Sequence, residues 1–166
     1  MNLKNKKVLI TGATGGIGNN LIKKFNDLGA SIIATGTNQN KLDKLKKDFA
    51  SIETKQFKLE EHEKIETFIQ KCSDDLGGLD VLVNNAGITL DNISLRLTLE
   101  DWKKVIDINL TSTFLMCKFA IKKMLKNKKG KIINITSIVA HTGNAGQANY
   151  AASKSALIGL SKSLAI

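Results

Sequence analysis

Tyr150 is the only tyrosine in the chain, and Lys154 follows it by four residues. On a helix that spacing puts both side chains on one face. A free phenol, with a pKa of ~10, is a sluggish proton carrier at neutral pH. An ammonium beside it favours the phenolate and eases proton exchange with a carbonyl or alcohol oxygen. Ser137, at the end of the Ile-rich run Lys131–Ser137, offers a hydroxyl to the same oxygen. Alone, a Tyr-x-x-x-Lys pair is an ordinary helix-surface pair. Its meaning changes beside a second motif.

That motif is Thr11-Gly12-Ala13-Thr14-Gly15-Gly16-Ile17-Gly18, which follows the apolar run Val8-Leu9-Ile10 and opens a helical pattern. Its spacing is G-x-x-x-G-x-G over Gly12, Gly16 and Gly18. Glycines let a backbone turn tightly and approach a pyrophosphate, while the following helix start supplies free N–H donors and a positive dipole end. A plain tight turn also uses glycine, but the position directly after an apolar strand favours the nucleotide reading. The stretch Thr35-Gly36-Thr37-Asn38 has no Asp or Glu to grip ribose hydroxyls or repel a 2′-phosphate. Thr37 and Asn38 can donate to such a phosphate, with Lys41 nearby. This favours NADP over NAD.

The elements that must position these groups alternate along the chain. Lys7–Thr11 reads as a short buried strand. Ile17–Leu28 reads as a helix with Ile17, Leu21, Ile22, Phe25 and Leu28 on one stripe, closed by Gly29. Ser31–Thr35 is the second strand, and Leu42, Leu45 and Phe49 mark a Lys-rich helix. Residues 52–59 form a third strand. Ile65, Phe68, Ile69 and Cys72 give another stripe, and Leu79–Val83 is strand four. Thr98 and Asp101 form a capping-box variant that opens one long helix to about Leu125. Lys131–Ser137 is strand five, and Asn149–Ile166 a final helix. Strand-helix units with near-continuous apolar strands predict an α/β fold, a doubly wound Rossmann-type parallel sheet of order 3-2-1-4-5, over one domain spanning 1–166. Ligands of such sheets sit beyond the carboxyl ends of the strands, where strands one and four diverge.

Composition narrows the function further. The 166 residues carry 25 basic and 15 acidic side chains, a net charge of +10. A basic balance raises nucleic-acid binding, but Arg96 is the sole arginine, and base and phosphate readers lean on Arg forks. Nucleic acid is therefore not the expected partner; an acidic partner is. No apolar run reaches the ~18 residues of a membrane helix, and the apolar start is too short for a signal peptide. The two cysteines, Cys72 and Cys117, stand apart from any ligand cluster, so neither a disulfide framework nor a metal site is expected. The expected location is the cytoplasm.

Together these residues resemble the short-chain dehydrogenase/reductase family over the whole chain. Thr11–Gly18 matches its cofactor turn and Asn84-Asn85-Ala86-Gly87 its N-N-A-G motif; Asn109, Ser137, Tyr150 and Lys154 match its catalytic four. Within the family, Asn84–Thr89 with Asp91-Asn92, and Gly143–Lys154, are most similar to bacterial 3-oxoacyl-[acyl-carrier-protein] reductases. The resemblance implies NADPH-dependent reduction of a 3-oxoacyl thioester on acyl carrier protein, in fatty-acid elongation. It implies that Tyr150 protonates the keto oxygen, Ser137 orients it, Lys154 binds the nicotinamide ribose, and Asn109 holds a relay water. Gly12, Thr14, Gly15, Gly16, Ile17, Gly18, Thr37, Leu59, Asn85, Ala86 and Gly87 are expected around the cofactor, with Tyr150 and Lys154. Gln147 is expected at the substrate with Ser137 and Tyr150. Lys128 or Lys129 matches a carrier-protein docking position. Gly15 stands where NADP-dependent relatives often carry a basic residue, and Leu90 where close relatives often carry a polar or basic one. The alternatives are a short-chain dehydrogenase acting on acyl-CoA or a small alcohol or ketone, and a truncated, inactive nucleotide-binding subunit.

The family continues beyond the helix that carries Tyr150, through two more strands that have no counterpart in this sequence. The expectation is an exposed edge at strand five, marginal stability and weak or absent activity of this chain alone. The small residues Ala152, Ser155, Ala156, Gly159 and Ser163 recur at helical spacing on the last helix. Such a face suits packing on the chain's own sheet or on another helix; in the resembled family this helix and the helix from Thr98 form a four-helix subunit interface, so the resemblance implies a homotetramer for the complete protein.

Overall fold

The computed structural model describes residues 3–166. Five strands, β1 (Lys7–Ile10), β2 (Ser31–Gly36), β3 (Glu53–Gln56), β4 (Val81–Asn84) and β5 (Lys131–Asn134), form one parallel sheet in the order β3-β2-β1-β4-β5. The order is the one the alternation of apolar runs predicts. Side-chain alternation sends Val8, Ile10, Ile32, Ala34, Val81 and Val83 to one face, where they meet Ile22 of α1 (Gly16–Asp27) and Leu45 of α2 (Gln39–Asp48). Leu9, Ile33, Leu82 and Ile132 face the other way. They pack on Phe68, Ile69 and Cys72 of α3 (Ile65–Leu76) and on Met116, Ala120 and Met124 of α5 (Ser112–Met124). Burying an aliphatic side chain is worth ~1.5–3 kcal/mol, so stability concentrates in β1 and β4, whose apolar residues are buried. In β5, Lys131 is exposed and Ile133 is 41% exposed. That strand is the sheet edge.

Local chemistry sets the helix ends. Asn38 caps α2 by accepting from the Lys41 N–H at 3.0 Å, and Gly77 closes α3 in the left-handed region at φ 68°. Thr98 caps α4 (Leu99–Ile106): its Oγ1 accepts from the Asp101 N–H at 3.0 Å and donates to Asp101 Oδ2 at 2.7 Å. α6 (Val139–Thr142) and α7 (Ala148–Leu164) complete the chain, with α7 packed against α4 and the turn that follows it.

The structure corrects several expectations. The single helix from Thr98 to Leu125 is interrupted by a π turn at Asp107–Thr111. There the Ser112 and Thr113 hydroxyls bond back to the carbonyls of Ile108 (2.5 Å) and Asn109 (2.9 Å), and the Asn109 side chain leaves the helix for another partner. Strand five stops at Asn134 rather than Ser137, because the Ile135 carbonyl and the Thr136 hydroxyl are engaged by Lys154 of α7. Strand three is likewise only Glu53–Gln56, since Phe57–Glu60 leave the sheet and line the cleft described next. The short helix α6 has no apolar periodicity to announce it.

Candidate functional site

The glycine loop is pressed between strand ends. Gly12 has φ +62°, and a Cβ there would lie 2.7 Å from the Ala86 Cα; a Cβ on Gly18 would lie 2.2 Å from the Gly12 carbonyl oxygen. Neither position tolerates a side chain. Thr11 Oγ1 accepts from the N–H groups of Asn85 and Ala86, both at 3.1 Å. Asn85 Nδ2 donates back to the carbonyls of Thr11 (3.1 Å) and Gly12 (3.0 Å). Two segments distant in sequence are thus one rigid wall. The start of α1 has no side-chain cap and no acidic residue in its first turn. Space is open around Gly16, where an added Cβ would meet nothing within 4 Å. Helix donors and dipole face that opening.

The opening is a cleft of about 850 Å³, within the usual range for cofactor sites. It is lined by all eleven of the residues expected along the dinucleotide apart from the catalytic pair: Gly12, Thr14, Gly15, Gly16, Ile17, Gly18, Thr37, Leu59, Asn85, Ala86 and Gly87. Phe57, Lys58, Lys104 and Ile108 also line it, and no motif in the sequence marks them. Thr35, only 2% exposed, also lines it with an unpartnered hydroxyl oxygen. An uncapped helix start, a cradle that side chains would fill and an orphaned buried hydroxyl together fit a dinucleotide. Asn38 is not among the lining residues, and its side-chain oxygen is committed to capping α2.

At the other end of the same wall stands α7. Lys154 is 4% exposed; its Nζ donates to the Ile135 carbonyl at 2.7 Å and lies 5.8 Å from the centre of the Tyr150 ring. Burial strips water from the ammonium and holds its pKa below the usual lysine range. A Cβ on Gly87 would sit 3.5 Å from Lys154 Nζ and 3.3 Å from Asn109 Oδ1, so Gly87, Lys154 and Asn109 converge. Ser137 lies three residues past β5, its Oγ accepting from the Val139 N–H at 3.4 Å.

Asn109, fully buried in the π turn, brackets Ile88. Its Oδ1 accepts from the Ile88 N–H at 2.8 Å, and its Nδ2 donates to the Ile88 carbonyl at 2.9 Å. The same Nδ2 donates to Ser153 Oγ at 3.1 Å, and Ser153 donates to the Tyr150 carbonyl at 2.7 Å. Asn109 therefore ties the loop after β4 to the helix of Tyr150. The motif reading passed over Ser153, whose only signal is its place between Tyr150 and Lys154. Gln147 is engaged at both ends of its amide, donating to Asp91 Oδ2 at 2.8 Å and accepting from Asn144 Nδ2 at 3.0 Å.

Residues 6–166 match the short chain dehydrogenase family. The chain is 47% identical over 167 residues to the 3-oxoacyl-[acyl-carrier-protein] reductase FabG of Rickettsia conorii, covering 99% of this chain and 67% of that protein. It is 41% identical to the protein of the same name from Vibrio cholerae (99% and 68%) and 41% identical to the Nodulation protein G of Rhizobium sp. (98% and 67%). The chain thus spans about two thirds of the length of these relatives. With the match running from the first strand through the Tyr150 helix, the chain belongs to the short-chain dehydrogenase family.

Proposed function

We propose that the chain carries the dinucleotide and catalytic portion of an NADPH-dependent 3-oxoacyl-[acyl-carrier-protein] reductase of fatty-acid synthesis. The observation that carries this reading is the single wall joining the uncapped glycine loop, through Asn85–Gly87, to Lys154 and Asn109. A nicotinamide dinucleotide supplies hydride to the keto carbon when bound. The free N–H groups of Gly16–Gly18 would hold its pyrophosphate, and Asn85, Ala86 and Gly87 would line its path toward α7. The NADP preference rests on Thr35–Asn38, a stretch that carries no carboxylate, and on Lys58 at a lining that also includes Glu60.

Each catalytic side chain has one task. Tyr150 gives its proton to the keto oxygen as that oxygen gains charge. Ser137 donates a second hydrogen bond to the same oxygen. Lys154, held by the Ile135 carbonyl, presents a desolvated ammonium to the nicotinamide ribose and keeps positive charge beside the phenol. Asn109 orients the loop after Gly87 and, by the family resemblance, holds a relay water. Gln147 and Asp91 shape the mouth where the acyl chain enters.

The surplus of lysines suits an acidic carrier protein. Lys128 and Lys129 are exposed at the end of the α5 segment, beyond a short turn at Leu125–Asn127. The small face of α7 leaves Gly159 in open space, which suits helix-on-helix contact in a homotetramer. Among the described residues no helix is long and apolar enough to cross a membrane, and a cytoplasmic enzyme fits this reading.

The test is NADPH oxidation with acetoacetyl groups carried on acyl carrier protein or on CoA, with NADH in parallel. The reading predicts faster turnover on the carrier protein and with NADPH. Preference for CoA or NADH would revise the substrate or the cofactor; NADPH binding without turnover on either, even when mixed with a complete homologue, would leave a nucleotide-binding subunit.

A further inference from the structure

Asn84 and Asn134 are register partners at the carboxyl ends of β4 and β5. Both stand on the face where Leu82 and Ile132, two residues earlier, are apolar. Asn84 Nδ2 donates to Asn134 Oδ1 at 2.8 Å and to Cys117 Sγ at 3.3 Å. Asn134 Nδ2 donates to Ser161 Oγ at 2.9 Å, and Ser161 donates to the Leu157 carbonyl at 2.7 Å. Ser161 lies two helical turns past Lys154 on the same face of α7.

Apolar side chains would fill this seam with no polar group to satisfy. A hydrogen-bonded amide relay adds little net stability over them, but it admits only one geometry. Its endpoints matter. β4 runs straight into Asn85-Ala86-Gly87, and α7 carries Tyr150 and Lys154. Ile135 and Thr136 also bond α7, but only through Lys154 itself. Asn134 alone of these three holds both α7 and a β4 side chain.

We infer that Asn134 is a positioning residue, which sets the seat of the Tyr150–Lys154 helix against the strand that feeds the dinucleotide loop through the relay Asn84–Asn134–Ser161. The inference rests on the reading of Tyr150 and Lys154 as the reacting pair. Its physical part, that the relay fixes α7, stands apart from turnover. Two buried thiols separate the two. Cys117 touches the relay; Cys72 lies on α3, in the core with Leu82 and Phe68. Burial pushes their pKa values up to about 11 and about 12, so both stay unreactive while the packing holds.

The experiment compares the unsubstituted chain with Asn134→Leu, close in volume, and Ser161→Ala. It reads thiol labelling at each cysteine by peptide mass, NADPH affinity, and kcat and KM separately. Cys117 is expected to label roughly tenfold faster in Asn134→Leu and less so in Ser161→Ala, with Cys72 unchanged. The expected kinetic signature is a roughly tenfold lower kcat at an NADPH affinity within about twofold of the parent. Equal acceleration at both cysteines, or at neither, overturns the inference, as does an unchanged kcat in an active parent. A parent that binds NADPH without turnover counts against the proposed reaction, and Cys117 labelling in Ser161→Ala, which breaks the α7 link but leaves the Asn134–Cys117 contact in place, still decides whether the relay seats α7.

Discussion

The two ends of the site are held by different means. On the dinucleotide side, backbone does the positioning: glycines with no room for a side chain, buried central strands, and Asn85 bonded to loop carbonyls. On the catalytic side, side chains do it. Lys154, Thr136, Asn134, Ser153 and Asn109 tie α7 to an edge strand and a π turn. A wall made of backbone has few ways to be slightly wrong. A seam made of amides and hydroxyls can be loosened one bond at a time, and proton transfer is the step that feels it.

The largest separation of the two sides comes from Tyr150→Phe. It removes the proton donor and nothing from the glycine wall. The expected outcome is a loss of roughly 10²–10⁴ in kcat with NADPH affinity lowered only a few-fold, by the one ribose hydrogen bond that goes with the hydroxyl, read by steady-state kinetics and fluorescence titration. A parallel fall in affinity would mean the two sides are not separable. Next is Gly18→Ala, whose new methyl meets the Gly12 carbonyl. It should cost about 1–3 kcal/mol in urea unfolding and weaken NADPH binding, whereas Gly16→Ala, facing open space, should leave stability near the parent. Equal costs at both positions would break the account of the loop.

A smaller effect separates function from stability at Lys154. Its folded pKa is lowered by burial, so the folded chain binds its proton less readily than the unfolded chain does. Below the folded pKa the buried charge is a penalty; as pH rises from there toward the unfolded value, the fold regains that stability. Lys154→Met should therefore match or exceed the parent's stability at neutral pH, by up to about 1 kcal/mol, and lose turnover. The advantage should shrink as pH rises through that window, measured by thermal melts at a series of pH values. An advantage that grew with pH would contradict the burial argument. The smallest effect is Thr98→Ala, which removes the α4 cap at a cost of about 1 kcal/mol and should leave NADPH affinity unchanged by titration.

The same division explains what the sequence made legible. Sheet order followed from apolar runs, because buried parallel strands leave an uninterrupted signature. Nine of the eleven cleft residues were legible from the glycine spacing, which encodes backbone geometry directly, and from the resemblance of the N-N-A-G run; Thr37 and Leu59 lie in neither motif. The break in the helix from Thr98 was not, since the apolar stripe continues while Ser112, Thr113 and Asn109 rearrange its hydrogen bonds. Strand five read as too long for a similar reason: Ile135 and Thr136 look like strand residues, but their polar groups answer to Lys154 across the fold. Ser153 and Ser161 act through partners far away in the chain, and local spacing carries no trace of that.

The central claim is that one bound dinucleotide spans both sides. A crystal structure of the chain with NADP⁺ tests it most directly. The account predicts the pyrophosphate on the Gly16–Gly18 amides and the nicotinamide ribose within hydrogen-bond reach of Tyr150 Oη and Lys154 Nζ. A dinucleotide seated elsewhere, or one whose nicotinamide end turns away from α7, would contradict it.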